Sequence, residues 1–257
     1  MSGLPYGRAS DTELVNSMKT RILIIIVPIA VLCALILSSL TLAHQKEDHK
    51  LVQFQMAILK KGPKWATTTE VERNQILHQH LRNVVSLLQT GKAVIAGPFG
   101  DDSDLAGIFI FRSASAEEAK TWVDADPLVK AGLIVPEMHP WFSEDIFKKA
   151  DMPLNMSTVY FGFLKKGPNR KEGDDKTPEI QELQKAHIAN IVRLSEAKKL
   201  VMAGPFGDDG ELRGIFVFRV ESLKEAQDLS ATDPMIKIDR LRIELHPWQI
   251  PSGVLPQ

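Results

Sequence analysis

The sequence predicts an α+β protein in which two copies of a βαββαβ unit follow an N-terminal hydrophobic segment. Three observations lead to this prediction: an apolar run near the N-terminus, an internal repeat, and the same order of strand-like and helix-like segments in each copy. The chain has 257 residues, of which 44% are hydrophobic and 25% are charged. This is an ordinary globular composition, and the length suits two small domains.

The apolar run extends from Ile22 to Ala43 and contains no charged residue. Two interpretations stay open. The run is long enough for a helix that crosses a bilayer, or it is the hydrophobic part of a signal peptide that is cleaved after Ala43. In both cases Lys19 and Arg21 precede the run, so the positive-inside rule predicts a periplasmic or other extracytoplasmic location for the rest of the chain. The only cysteine, Cys33, lies inside this run, which leaves no thiol in the part that follows.

An internal repeat occupies most of the remaining chain. The sequence Ala-Gly-Pro-Phe-Gly-Asp-Asp begins at Ala96 and again 107 residues later at Ala203. The same offset relates the His-Pro-Trp sequences that begin at His139 and His246. A constant offset over such a distance predicts the tandem duplication of one structural unit.

Each copy contains signals for four strands and two helices, which we describe for the first copy. A helical period of apolar residues predicts a helix over 71–89, and the Ser-Ala-Glu-Glu sequence at 115–118 predicts a capping box that begins a second helix. Apolar runs between turn residues predict strands over residues 52–59, 92–96, 107–111 and 133–139. This order is the ferredoxin-like βαββαβ arrangement. Its helices cover one face of the sheet, so the second copy can cover the other face.

These signals predict the domain boundaries. We expect an N-terminal tail with its export segment or anchor over residues 1–43, followed by a linker over 44–51. We expect the first domain over 52–148, a second linker over 149–156 and the second domain over 157–250. The formal net charge of −1 gives no indication of nucleic-acid binding, because such proteins usually carry a basic surface. We expect membrane contact only through residues 22–43.

Short patterns in both copies resemble the YCII-related domain family, which belongs to the dimeric α/β-barrel superfamily. In the first copy these patterns are His80-Leu81, Ala96-Gly97-Pro98 and Ala125-Asp126-Pro127. The resemblance covers residues 52–142 and 157–249. It implies a barrel that family members build from two chains, and that this chain builds from its two copies. A monomer with an internal pseudo-dimer and a homodimer both remain open.

The resemblance also implies candidate site residues. A His–Asp pair has been proposed as the site of the family, and one relative is a dehydrochlorinase of chlorinated hydroxyquinones. By position, the pairs in this sequence are His80 with Asp126 and His187 with Asp233. The resemblance implies no organic cofactor.

The same pairs have a chemical and a structural interpretation. Histidine titrates near neutrality and can act as a general acid or base, while a carboxylate on one ring nitrogen fixes its tautomer. Such a pair would suit a lyase or isomerase acting on a small cyclic or aromatic acid, a lactone or a quinol. Alternatively, Asp126-Pro127 and Asp233-Pro234 are helix N-caps followed by proline, and the protein is a binding or interaction module.

Other motifs indicate structural roles. We expect His139-Pro140-Trp141 to pack a strand end against a helix, and Asp101-Asp102 to lie in a hairpin turn. No metal site is predicted, and the sequence contains no nucleotide-binding glycine pattern. The partner that the lyase or isomerase interpretation implies is a small-molecule ligand.

Overall fold

Each copy of the repeat folds into a four-stranded antiparallel sheet with helices on one face. The structure, a computed structural model, describes residues 50–256. The first domain contains β1 (Val52–Lys61), α1 (Glu70–Gln89), β2 (Ala93–Pro98), β3 (Leu105–Phe111), α2 (Ala116–Asp124), α3 (Pro127–Lys130) and β4 (Ile134–Ser143). The second domain contains β5 (Met156–Lys166), a 3₁₀ turn (Asp174–Lys176), α4 (Pro178–Glu196), β6 (Leu200–Pro205), β7 (Leu212–Phe218), α5 (Leu223–Ser230), α6 (Pro234–Lys237) and β8 (Leu241–Pro251).

The apolar run over residues 22–43 lies outside the described residues. Within 50–256, no helix combines the length and the hydropathy that crossing a membrane requires.

The strand order is the same in both sheets. It is β2-β3-β1-β4 in the first domain and β6-β7-β5-β8 in the second. Along β1, Phe54, Met56 and Ile58 face away from the helices, while Ala57 and Leu59 pack beneath them. This is the alternation expected of a strand. Because both faces of β1 are buried, the strand is apolar along most of its length.

The helices begin at capping residues, although one predicted cap differs from the observed one. Thr69 and Glu72 form a complete capping box at the start of α1. At α2 the predicted box is only half formed: Ser115 accepts a hydrogen bond from the Glu118 amide at 3.1 Å, but the Glu118 carboxylate binds the amide of Ala114. The Ser115 amide already donates to the Ser113 hydroxyl at 3.3 Å, which leaves the glutamate free to bind elsewhere.

The two sheets pack face to face and close a barrel within one chain. A single apolar core contains residues of both sheets, including Phe54 and Met56 from β1 and Phe161 and Phe163 from β5. Strand β4 lies beside β6, and β8 lies beside β2. At the junction of β8 with β2, the amide of Gly100 donates to the carbonyl of Pro247 at 2.8 Å. The equivalent hydrogen bond forms at the junction of β4 with β6. The predicted intramolecular dimeric α/β barrel is therefore confirmed.

The prediction for the His-Pro-Trp sequences is wrong. Trp141 and Trp248 do not pack against a helix; both lie fully buried in the core between the sheets. Each indole N–H donates to a carbonyl of the other domain, at 3.1 Å to Gly204 and at 2.9 Å to Gly97. The reason is that β4 does not end at residue 139 but continues to Ser143, so the motif lies inside an edge strand that faces the other sheet.

Candidate functional site

The first predicted His–Asp pair is formed in the structure. His80 lies on α1, and its Nδ1 is 2.8 Å from Oδ2 of Asp126, in the short connection between α2 and α3. Asp126 is fully buried and is the N-cap of α3, because its Oδ1 accepts the amide hydrogen of Leu128 at 2.9 Å. One carboxylate oxygen thus fixes a helix start while the other orients the histidine.

The surroundings of Asp126 keep it charged. Burial raises the pKa of its carboxyl, but hydrogen bonds from His80, Asn83 and the Leu128 amide lower it more, so the pKa lies below its ordinary value. An ionised carboxylate can only accept, so the Nδ1 of His80 must be the donor. The Nε2 of His80 has no hydrogen-bond partner among residues 50–256.

Asn83 is a third member of this cluster that the sequence analysis missed. Its side-chain amide donates to Oδ2 of Asp126 at 2.8 Å. Asn83 follows His80 by about one helical turn and so lies on the same face of α1. The repeat contained a signal for it, since Asn190 occupies the corresponding position in the second copy.

The second pair has the same core geometry with different neighbours. Nδ1 of His187 is 2.7 Å from Oδ2 of the fully buried Asp233. Here Asn190 donates to Asp233 over a longer distance, 3.4 Å. The side-chain carbonyl oxygen of Asn190 also accepts hydrogen bonds from Arg193 at 2.7 Å and from Thr232 at 3.1 Å. The second pair therefore lies within a polar network. In the first domain, serine and alanine occupy the positions that correspond to Arg193 and Thr232.

A cavity of about 430 Å³ lies beside His80. It lies between α1 and the sheet, and most of its lining is apolar, including Leu59, Phe109 and Ile134. The second domain and the preceding linker complete the wall with Leu154, Met156, Gln249 and Pro251. The polar side chains of the lining are Trp65, His80 and Gln249. Closure of the barrel is thus needed to build this cavity.

Two further His–Asp pairs connect the domains. Nδ1 of His139 is 2.7 Å from Oδ2 of Asp208, and Nδ1 of His246 is 2.7 Å from Oδ2 of Asp101. Burial raises the pKa of the Asp101 carboxyl, but hydrogen bonds from Ser103 and His246 outweigh it, so the pKa is lowered. The predicted turn at Asp101 is present between β2 and β3. Its additional role as a partner of the other domain was not predicted.

These cross-domain pairs have no metal-binding geometry. A glutamate two residues before each histidine lies near the other ring nitrogen, at 3.1 Å for His139 and 3.3 Å for His246. Both nitrogens of each ring thus face carboxylates. Within residues 50–256, no group of three or more His, Asp or Glu side chains is arranged to hold a metal ion.

Solved structures with a similar fold include two mutant forms of chlorite dismutase from Candidatus Nitrospira defluvii. One has a TM-score of 0.53 and 10% sequence identity, covering 79% of this chain and 92% of that chain. The other has a TM-score of 0.52 and 11% identity, covering 78% of this chain and 92% of that chain. At such low identity the likeness shows the fold alone. Comparison with curated proteins finds no match.

The YCII-related domain family matches the sequence twice, over residues 54–141 and 165–249. The first matched segment contains a βαββαβ unit apart from the outer ends of β1 and β4, and the second begins at the end of β5 and contains the rest of its unit. Each segment contains one of the His–Asp pairs described above. The chain belongs to the YCII-related domain family and carries two copies of that domain in tandem.

Proposed function

We propose that the first domain binds a small organic molecule beside His80 and that His80 transfers a proton to or from it. The observation that supports this proposal most strongly is the combination of a histidine held by a buried carboxylate with an apolar cavity that reaches its ring. A buried ionisable pair at the wall of a cavity is a common feature of functional sites.

The proposed chemistry is that of a lyase or isomerase. With Nδ1–H donating to Asp126, the lone pair of Nε2 accepts a proton from a hydroxyl or from a carbon next to a carbonyl group. The resulting imidazolium is stabilised by the Asp126 carboxylate. Nε2 then returns this proton to a different atom of the same ligand, or to its leaving group. A small cyclic or aromatic acid, a lactone or a quinol would fit this chemistry and the apolar lining.

A second candidate is a non-catalytic binding or interaction module whose His–Asp pairs stabilise the fold. The observation in its favour is that Asp126 and Asp233 are N-caps of α3 and α6, which is a structural role. The network of Asn190, Arg193 and Thr232 around the second pair points in the same direction.

A thermal-shift experiment separates the two candidates. Full-length protein in detergent is screened against phenolic acids, lactones and quinols, as wild type and as the variants His80→Ala, His187→Ala and His78→Ala. His78 is exposed on the same helix, so its variant is the matched control. A ligand raises the melting temperature according to its concentration over its dissociation constant.

We expect a stabilising compound to act on the wild type and on His78→Ala, but not on His80→Ala. If the same compound stabilises His80→Ala equally well, the proposed site is wrong. If His80→Ala only melts earlier and no compound binds the wild type, the structural candidate is correct.

We also propose that the YCII domains lie outside the cytoplasm, exported or anchored through the apolar run after Arg21. The support is the length of the run and the basic residues before it. A C-terminal alkaline phosphatase fusion should be active, because this reporter folds only outside the bacterial cytoplasm. An inactive fusion that is nevertheless produced in full would contradict export. N-terminal sequencing of the mature protein distinguishes cleavage after Ala43 from retention.

A further inference from the structure

We propose that Gln249 of the second domain determines ligand specificity at the His80 cavity of the first domain. The inference rests on the proposed function and deepens it. Gln249 lines the cavity, is exposed, and its side-chain amide has no hydrogen-bond partner within residues 50–256. An amide can both donate and accept. It is therefore available to a polar group of the ligand.

The position of Gln249 follows from the closure of the barrel. Along β8, Trp248 and Ile250 are buried in the core between the sheets, so the side chain of Gln249 faces the opposite side of the strand. Strand β8 lies beside β2 of the first domain, and Trp248 holds it there through its hydrogen bond to the Gly97 carbonyl. The second domain thereby supplies to the first domain's cavity a side chain that the first domain lacks.

The duplication provides a built-in comparison. The residue that corresponds to Gln249 in the first domain is Phe142, which has the same offset of 107 residues. Its ring packs so closely on the turn of the second domain that a Cβ at Gly207 would be 2.6 Å from Cε2 of Phe142. An amide at one junction and an aromatic ring at the other differ in polarity. The two copies have therefore diverged at a position that, in the second copy, lines the His80 cavity.

The character of the cavity indicates which ligand Gln249 would select. Apart from His80, the lining contains no ionisable side chain. A second charged group on the ligand would therefore lack a counter-charge, whereas a hydroxyl or carbonyl could bind the amide directly. We infer a cyclic or aromatic ligand with two oxygen groups, one beside His80 and a second, neutral one at Gln249.

Isothermal titration with two matched probes tests this inference. The probes are 2-naphthol, with one hydroxyl group, and 2,6-dihydroxynaphthalene, with two. We expect the wild type to bind the dihydroxy probe roughly five- to tenfold more tightly, the effect of one net hydrogen bond. In Gln249→Phe, which copies the residue of the other junction, the ratio of the two dissociation constants should fall to about one. Phe142→Gln is the control, and it should leave the ratio unchanged.

The outcomes separate the inference from the proposed function. If Gln249→Phe keeps the preference while His80→Ala weakens both probes, Gln249 has no role in specificity and the His80 site stands. If the wild type binds both probes equally, Gln249 likewise has no role in specificity. If the wild type binds neither probe, or if His80→Ala binds both unchanged, the proposed function fails and the role of Gln249 fails with it.

Discussion

Replacing Gly97 with alanine should destabilise the barrel strongly. A Cβ at Gly97 would lie 1.7 Å from the carbonyl oxygen of Gln249, which belongs to the backbone of the other domain and cannot rotate away. Relief requires β2 and β8 to separate, which would also break the hydrogen bond from Trp248 to the Gly97 carbonyl. We expect a loss of roughly 3 kcal/mol or more, at or beyond the upper end of overpacking effects. Urea unfolding followed by tryptophan fluorescence measures it.

Gly100→Ala, three residues further along in the connection after β2, is the matched control. A Cβ there would have its nearest neighbour at 3.6 Å, an ordinary contact with the Pro247 ring. We expect its effect to stay within about 1 kcal/mol. Gly204→Ala should resemble Gly97→Ala, since its Cβ would be 1.9 Å from the Phe142 carbonyl oxygen. If Gly97→Ala and Gly100→Ala were equally stable, the two domains of one chain would not approach each other in this way.

The fold was predictable because every level of the sequence agreed. Both copies carry the same order of apolar segments, and strands such as β1 are apolar on both faces. A sheet that is apolar on both faces needs a covering layer on each. The repeat supplies the second layer, so the face-to-face arrangement followed from the pattern alone.

The contacts between the domains were harder to predict. The pair of Asp101 and His246 joins residues that are 145 positions apart. It depends on which edge strand of one sheet meets which edge strand of the other, and no local pattern contains that information. The sequence showed that both copies contain these residues. It did not show that the histidine of each domain would bind the aspartate of the other domain. The role of Gln249 was not predicted for a related reason. Its counterpart in the first copy is Phe142, so the repeat did not single out this position.

The His–Asp pairs were predictable by position, whereas their structural setting was not. The resemblance to the family indicated His80 and Asp126. It gave no indication that Asn83 would bind the same carboxylate oxygen, or that the second pair would be enclosed by Arg193 and Thr232. Such differences arise from single side chains in the helix and in the short loop before α3 or α6. Their effect becomes visible only when those elements are packed together.

Removing the Asp126 side chain should be the most damaging change at the candidate site. In Asp126→Ala the amide of Leu128 loses its cap, and the donors of His80 and Asn83 lose their shared buried acceptor. Breaking a buried pair on one side costs about 3–5 kcal/mol. Asp126→Asn should cost less, because asparagine caps a helix about as well as aspartate. Chemical denaturation of both variants measures the difference.

The pH dependence of these variants tests whether the Asp126 charge itself stabilises the fold. The pKa of Asp126 is lower in the folded state than in the unfolded chain. Its charge therefore stabilises the protein at pH values above the pKa of the unfolded chain. That contribution is lost as the pH falls through the lowered folded pKa. The stability advantage of the wild type over Asp126→Asn should therefore shrink once the pH falls below about 4. Asp124→Asn, at an exposed ion pair on α2, serves as the control and should show only a small effect at any pH. An advantage that stays the same down to pH 3 would mean that the charge of Asp126 does not stabilise the fold, and proton transfer by His80 would then lack the charged partner that it needs.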